Sequence, residues 1–259
     1  MLFNSYAFIG AFLPTVLIGY ALLARLGSDR PARIWLTAAS LFFYGWWNAA
    51  YLPVLIGSIG FNFLVGRTLT DRRRRGAFTV RPLLYAGVAV NLGLLAWFKY
   101  TAFVVNDVGA LVGFDFAVAA VVLPLAISFF TFQQIAYLAD TAAGEAREYD
   151  FVDYCLFVSF FPQLIAGPIV HHREMMGQFQ TPARLRLGQA ALATGITFFT
   201  IGLFKKVVIA DTLAIGADAA FLASARGAEL TAAAAWHGVT AYTLQLYFDF
   251  SGYSDMAIG

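Results

Sequence analysis

The stretch LTAAAAWHGVTAYTLQLYFDFSGYSDMAIG, residues 230–259, decides how the rest of the chain is read. Residues 230–248 carry no Asp, Glu, Lys or Arg. Then Asp249, Ser251, Tyr253, Ser254 and Asp255 follow among aromatic and small apolar residues. An uncharged apolar run of about 20 residues is what an α-helix needs to cross the ~30 Å hydrocarbon core of a bilayer. A carboxylate inside such a run is costly, and it is kept where it has a partner or a task.

The same pattern recurs outward along the chain. Residues 1–24, 34–66, 82–98, 116–139, 154–172 and 187–204 are also free of Asp, Glu, Lys and Arg. The 259 residues are 60% hydrophobic and only 12% charged, about half the charge of a soluble domain. Short alternating segments, the mark of a membrane β-barrel, are missing from the pattern. The sequence therefore predicts an all-α, polytopic transmembrane helical bundle. Residues 1–259 read as a single membrane domain without internal repeats. The 34–66 block is long enough for two short spans that break near Asn48 and Pro53.

Arginines orient the bundle. Arg67, Arg72 to Arg75 and Arg81 form the densest basic loop, which the positive-inside tendency places in the cytoplasm. Two spans earlier, Arg25, Arg30 and Arg33 then fall on the same side, which leaves the N-terminus outside. The first block lacks a basic n-region and reads as a retained helix rather than a signal peptide. The expectation is a multi-pass protein of the cell inner membrane with a periplasmic N-terminus and the lipid bilayer as its surroundings. A net charge of +2, spread over loops, gives no nucleic-acid surface.

Two segments interrupt the simple picture. The 116–139 span contains Pro124, Ser128, Thr131, Gln133 and Gln134, and adjacent glutamines at depth should face protein. Residues 154–170 contain FFPQLIAGP (160–168), whose prolines and glycine cannot sit in an unbroken helix. A broken or re-entrant segment buried in protein is expected there. The mixed stretch 171–186 then reads as a helix on the membrane surface, and 187–204 as a span that ends at Lys205 and Lys206. A literal count puts these lysines outside if 154–170 is re-entrant, and inside if it spans.

No phosphate-binding loop, dinucleotide fingerprint or metal-ligand spacing is present, so no metal and no bound cofactor is expected. His171 and His172 are adjacent, which makes a poor chelating pair on a helix. His237, beside Trp236, reads as interfacial. The closing stretch is different. On a helix, Asp249 shares a face with Gln245 and with Tyr253, and Ser251 shares one with Asp255. The two aspartates fall on different faces. Two readings stand: a polar packing seam around Gly252, or the wall of a polar reaction chamber. A broken helix with polar groups at depth also suits a transporter with a midplane site.

Three segments together resemble the membrane-bound O-acyltransferase (MBOAT) family, in its bacterial alginate O-acetyltransferase-like branch. They are LPLAISFFTFQQ (123–134), FFPQLIAGP (160–168) and LYFDFSGYSDMAIG (246–259). The opening Met1 to Tyr6 and the aromatic run from Ser40 to Trp47 are similar to that branch too. Ala126 stands where the family's segment has glycine. The resemblance implies a membrane enzyme that moves an acyl group, acetyl in this branch, to hydroxyls of an exported polysaccharide or to a partner acetyl-transfer protein. It implies an acyl donor of unspecified identity. It further implies a catalytic histidine C-terminal to the closing motif, beyond Gly259, so that this chain is an N-terminal fragment without a catalytic residue of its own, inactive alone. Asp249, Ser251, Tyr253, Asp255, Gln133 and Gln134 are then the candidates for lining the chamber.

Overall fold

The computed structural model describes residues 1–26, 28–76, 78–108, 122–146, 149–164, 175, 177 and 188–259. Every regular element among them is helical. Three helices, Ala49–Arg74, Val80–Asn106 and Gln189–Ala225, are long and apolar enough to cross a membrane, and Phe8–Ala24 is a shorter apolar helix. The chain is an all-α helical membrane protein. Its described residues group into two compact units, one of 1–29 and 188–259, the other of 30–164 with 175 and 177.

In the first unit, α1 (Phe8–Ala24) opens with a π-helical turn over Phe8–Phe12. Pro14 follows at once; it has no N–H to donate to the preceding turn, and the wider turn makes room for its ring. The unit is dominated by an antiparallel pair, α2 (Gln189–Ala225) and α3 (Ala232–Ile258). Gly227, at φ 77°, lets the chain leave α2, and the Thr231 hydroxyl caps α3 by accepting from the Ala234 N–H at 3.3 Å. Small residues draw the two helices together. A methyl group on Gly202 would lie 2.5 Å from the Gly252 carbonyl oxygen, and one on Gly252 would lie 2.7 Å from the Gly202 carbonyl oxygen. Gly195 meets Gly259, and Gly238 meets Ala220, in the same way.

Helix α2 departs from the sequence expectation. The helix does not end at Lys205; it passes through a π-helical segment, Lys205–Ala210, and continues to Ala225. At about 1.5 Å per residue its 37 residues reach some 55 Å, well beyond the hydrocarbon core. The adjacent lysines therefore lie near the middle of an apolar helix and not at its end. A cation there needs a partner, and α3 supplies it.

The second unit is built from α4 (Arg30–Trp47), α5 (Leu52–Arg74), α6 (Val80–Ala102), α7 (Ile127–Ala143), α8 (Phe151–Ser159) and the single turn α9 (Phe161–Leu164). The expected break in the 34–66 block lies at Asn48, whose side chain accepts from the Ala50 N–H at 3.0 Å and starts a 3-10 turn. Buried polar pairs tie the unit together. Asn62 and Asn91 exchange reciprocal amide hydrogen bonds of 3.0 and 2.7 Å, and each also donates to a carbonyl of its own helix. Arg33 and Asp153 pair at 2.5 Å and join α4 to α8.

Helix α7 begins later than the sequence pattern suggests. Ala126 occupies the left-handed region, at φ 58° and ψ 17°, and turns the chain out of the Pro124 segment before the helix starts at Ile127. The broken segment is visible as far as it is described: α8 stops at Ser159, Phe160 turns extended, and the Phe161 N–H donates to Ser40 Oγ at 3.3 Å. Residues 165–170 of that segment, and the surface helix expected at 171–186 apart from Met175 and Gly177, lie outside the described residues.

Candidate functional site

The closing motif occupies the last turns of α3, facing the π-helical part of α2. Lys205 Nζ donates to Asp255 Oδ2 at 2.6 Å and to Ser251 Oγ at 3.1 Å. Ser251 and Asp255 are one helical turn apart, so a single ammonium group reaches both. Lys206 points to the other side. It donates to Asp211 Oδ1 at 2.9 Å and lies 2.8 Å from Asp249 Oδ1. That last approach is an ion pair between the two helices. The wider π turn brings Lys206 and Asp211, five residues apart, onto neighbouring faces.

Two carboxylates on different faces of α3 are thus matched by two neighbouring lysines on α2. Lys205, Asp255 and Lys206 are largely withdrawn from solvent, at 28%, 19% and 18% exposed, while Asp249 and Asp211 are more open. In the more withdrawn Lys205–Asp255 pair, either member left alone is an uncompensated charge, while solvent screens the Lys206 pairs. Gly252 sits between the pairs at a close approach of the two helices, and that approach lets the lysines reach across. Both features of the motif, the small-residue seam and the polar groups, belong to one arrangement.

The remaining candidates fall elsewhere. The Tyr253 ring lies 5.3 Å from that of Phe3, a buried residue of the N-terminal segment in the same unit. Gln245, one turn before Asp249, has a buried Oε1 with no hydrogen bond among the described residues. Gln134 belongs to the second unit, where it is fully buried and donates to Ser58 Oγ at 3.1 Å; Gln133 beside it is only half-buried. His237 lies against Gly216 of α2 and is exposed, while His171 and His172 lie outside the described residues. No group of three or more His, Cys, Asp or Glu that could hold a metal ion occurs among the described residues.

Sequence reasoning missed Lys205 and Lys206. The signal was the unresolved side of these lysines. A literal count left that side open because it treated the pair as the end of a span.

Residues 122–259 match the family model for MBOAT, the membrane-bound O-acyltransferase family. The whole chain is 44% identical to a peptidoglycan O-acetyltransferase of Helicobacter pylori, covering 53% of that protein. It is 39% identical, again over its whole length, to a protein named probable alginate O-acetylase AlgI of Pseudomonas syringae, covering 49% of it. A teichoic acid D-alanyltransferase of Lacticaseibacillus rhamnosus is 26% identical over 79% of the chain and 49% of that protein. The chain spans about half the length of the curated relatives it matches.

Proposed function

The chain belongs to the membrane-bound O-acyltransferase family, and on that premise we propose that it builds part of an enzyme that transfers an acyl group, acetyl, to hydroxyls of an exported polysaccharide. The relatives named for peptidoglycan and alginate O-acetylation support acetyl as the group and a polysaccharide as the acceptor. Family membership decides for this reading over a transporter with a midplane site.

The observation that carries the proposal is the seating of Asp249, Ser251 and Asp255 on Lys205 and Lys206 in mid-helix. A packing seam alone could be made from small and apolar residues. Charged groups kept inside an apolar helix pair mark a site where charge is handled. Acyl transfer needs that: the carbonyl oxygen gains negative charge as the acceptor oxygen attacks, and fixed cations and hydroxyls stabilise it. Asp249 and Asp255 hold the two lysines in place, and Ser251 and Tyr253 complete the wall. No histidine of this chain is given the role of base. The acyl donor is an activated acyl ester, and a partner acetyl-transfer protein is its acceptor or relay. The enzyme works in the inner membrane with the N-terminus on the periplasmic side, as the basic loops require.

The test is to express the complete gene product in a bacterium that exports an unacetylated polysaccharide, and to measure O-acetyl groups on the polymer by NMR. The reading predicts acetyl esters that are absent from the empty-vector strain. A polymer that stays unacetylated while the protein is present and folded in the membrane contradicts it.

A further inference from the structure

Ser251 is bonded differently from four threonines of its helix pair, because a lysine from the opposite helix donates to it. Thr197, Thr200 and Thr212 on α2 and Thr243 on α3 each donate to the carbonyl one turn earlier in their own helix. Ser251 makes no such bond. Its Oγ accepts from Lys205 Nζ at 3.1 Å, and its own O–H has no acceptor among the described residues. A hydroxyl that accepts from an ammonium group becomes a stronger donor, because the cation draws electron density from its oxygen.

The neighbouring carboxylate decides what such a hydroxyl can do. A serine beside a lysine is a nucleophile when the lysine is neutral and takes its proton. Here Lys205 Nζ donates both to Asp255 Oδ2 at 2.6 Å and to Ser251 Oγ at 3.1 Å, and a nitrogen that donates to Ser251 is not placed to take its proton. Ser251 is therefore not an attacking group. It is a donor backed by a fixed positive charge, which suits an oxygen that becomes negative during a reaction.

We propose that Ser251 donates its hydroxyl hydrogen to the carbonyl oxygen of the acyl group in transfer, with Lys205 as the positioning residue that polarises it and Asp255 as the anchor of Lys205. This deepens the acyltransferase reading and rests on it. In the step, the acceptor hydroxyl oxygen forms a bond to the acyl carbon, and the C=O electrons move onto the carbonyl oxygen that Ser251 meets. Those electrons then return, the bond from the acyl carbon to the oxygen or sulfur of the activated ester breaks, and the acceptor's proton ends on that leaving atom. Ser251 keeps its own proton throughout.

The experiment uses the complete gene product in detergent, p-nitrophenyl acetate as donor and an oligosaccharide as acceptor. Ser251→Ala should lower kcat by about 100-fold, the scale for losing one such donor, with the acceptor KM within about twofold of wild type. Ser251→Thr, which retains the hydroxyl, should recover at least a third of wild-type kcat. Mass spectrometry of the quenched protein should find no acetyl group on Ser251. An active wild type with a Ser251→Ala variant within twofold of it overturns the assignment and leaves the acyltransferase reading intact. An acetylated Ser251 overturns it in favour of a covalent relay. A folded wild type that transfers no acetyl group overturns the acyltransferase reading itself, and the assignment with it.

Discussion

Lys205 Nζ sits 2.6 Å from Asp255 Oδ2 across two apolar helices, beside the contact where Gly202 and Gly252 leave no room for a methyl group. The two facts depend on each other. A lysine in the middle of a long apolar helix is tolerable only with a partner in reach, and the glycines bring that partner within reach.

Breaking this pair on one side should cost more than removing it altogether. Lys205→Met or Asp255→Asn alone leaves a charge without its partner and should lower stability by about 3 kcal/mol. The double variant removes both charges and should return to within about 1 kcal/mol of wild type. Thermal unfolding of the detergent-solubilised complete protein measures all four members of the cycle. Additive losses in the double variant would show that the two groups do not interact.

The seam makes its own prediction. Gly202→Ala and Gly252→Ala each put a methyl group 2.5–2.7 Å from a backbone oxygen of the opposite helix. Backbone cannot rotate away, so each should destabilise by about 1–3 kcal/mol. Gly57→Ala and Gly60→Ala on α5 meet nothing within 4 Å and serve as controls. They should be neutral or stabilise by up to about 1 kcal/mol. Equal behaviour of the two pairs in an unfolding assay would mean that the helices do not meet at the glycines.

Ala126 should be better as glycine. It is the non-glycine residue held at positive φ among the described residues, at 58°, a conformation that costs an L-residue roughly 1–2 kcal/mol. Ala126→Gly relieves that strain but adds freedom to the unfolded chain, so a net gain of about 0.5–1 kcal/mol is expected. A lower midpoint for the variant in thermal unfolding would contradict the left-handed turn.

The Asn62–Asn91 amide pair offers a test of the second unit by itself. Asn62→Leu leaves Asn91 buried with an unmatched amide and should cost about 1–3 kcal/mol. Replacing both by Leu should recover most of that loss. Hydrogen exchange at α5 and α6 would report the change locally, and unaltered protection in the single variant would place the amides outside that contact.

How far this was legible in the sequence differs by feature. The helices follow from runs without charge, and the interruption near Asn48 from Asn48 and Pro53 inside one long uncharged block. The break at Phe160 follows from the prolines that come after it. All these signals are local. The shared contact of Ser251 and Asp255 follows from helical spacing, which a sequence displays directly. Lys205 was misread because a charge count treats every lysine in an apolar run as a boundary. Its partner lies 50 residues away, and only the packing of two helices makes a mid-span lysine acceptable. The left-handed turn at Ala126 was hidden for a related reason. Alanine is the best helix former in isolation, and the preceding proline segment overrides that preference.

The most direct test of the account is acetyl content of the exported polysaccharide in cells that express the complete protein carrying Lys205→Met together with Asp255→Asn. The double variant is expected to reach the membrane at wild-type levels and to unfold near the wild-type temperature, because no lone charge is left. It is also expected to lower acetylation of the polymer sharply, because Lys205 no longer polarises the Ser251 hydroxyl. Acetylation at the wild-type level in the double variant would contradict the account and reduce Lys205 and Asp255 to a clasp between two helices.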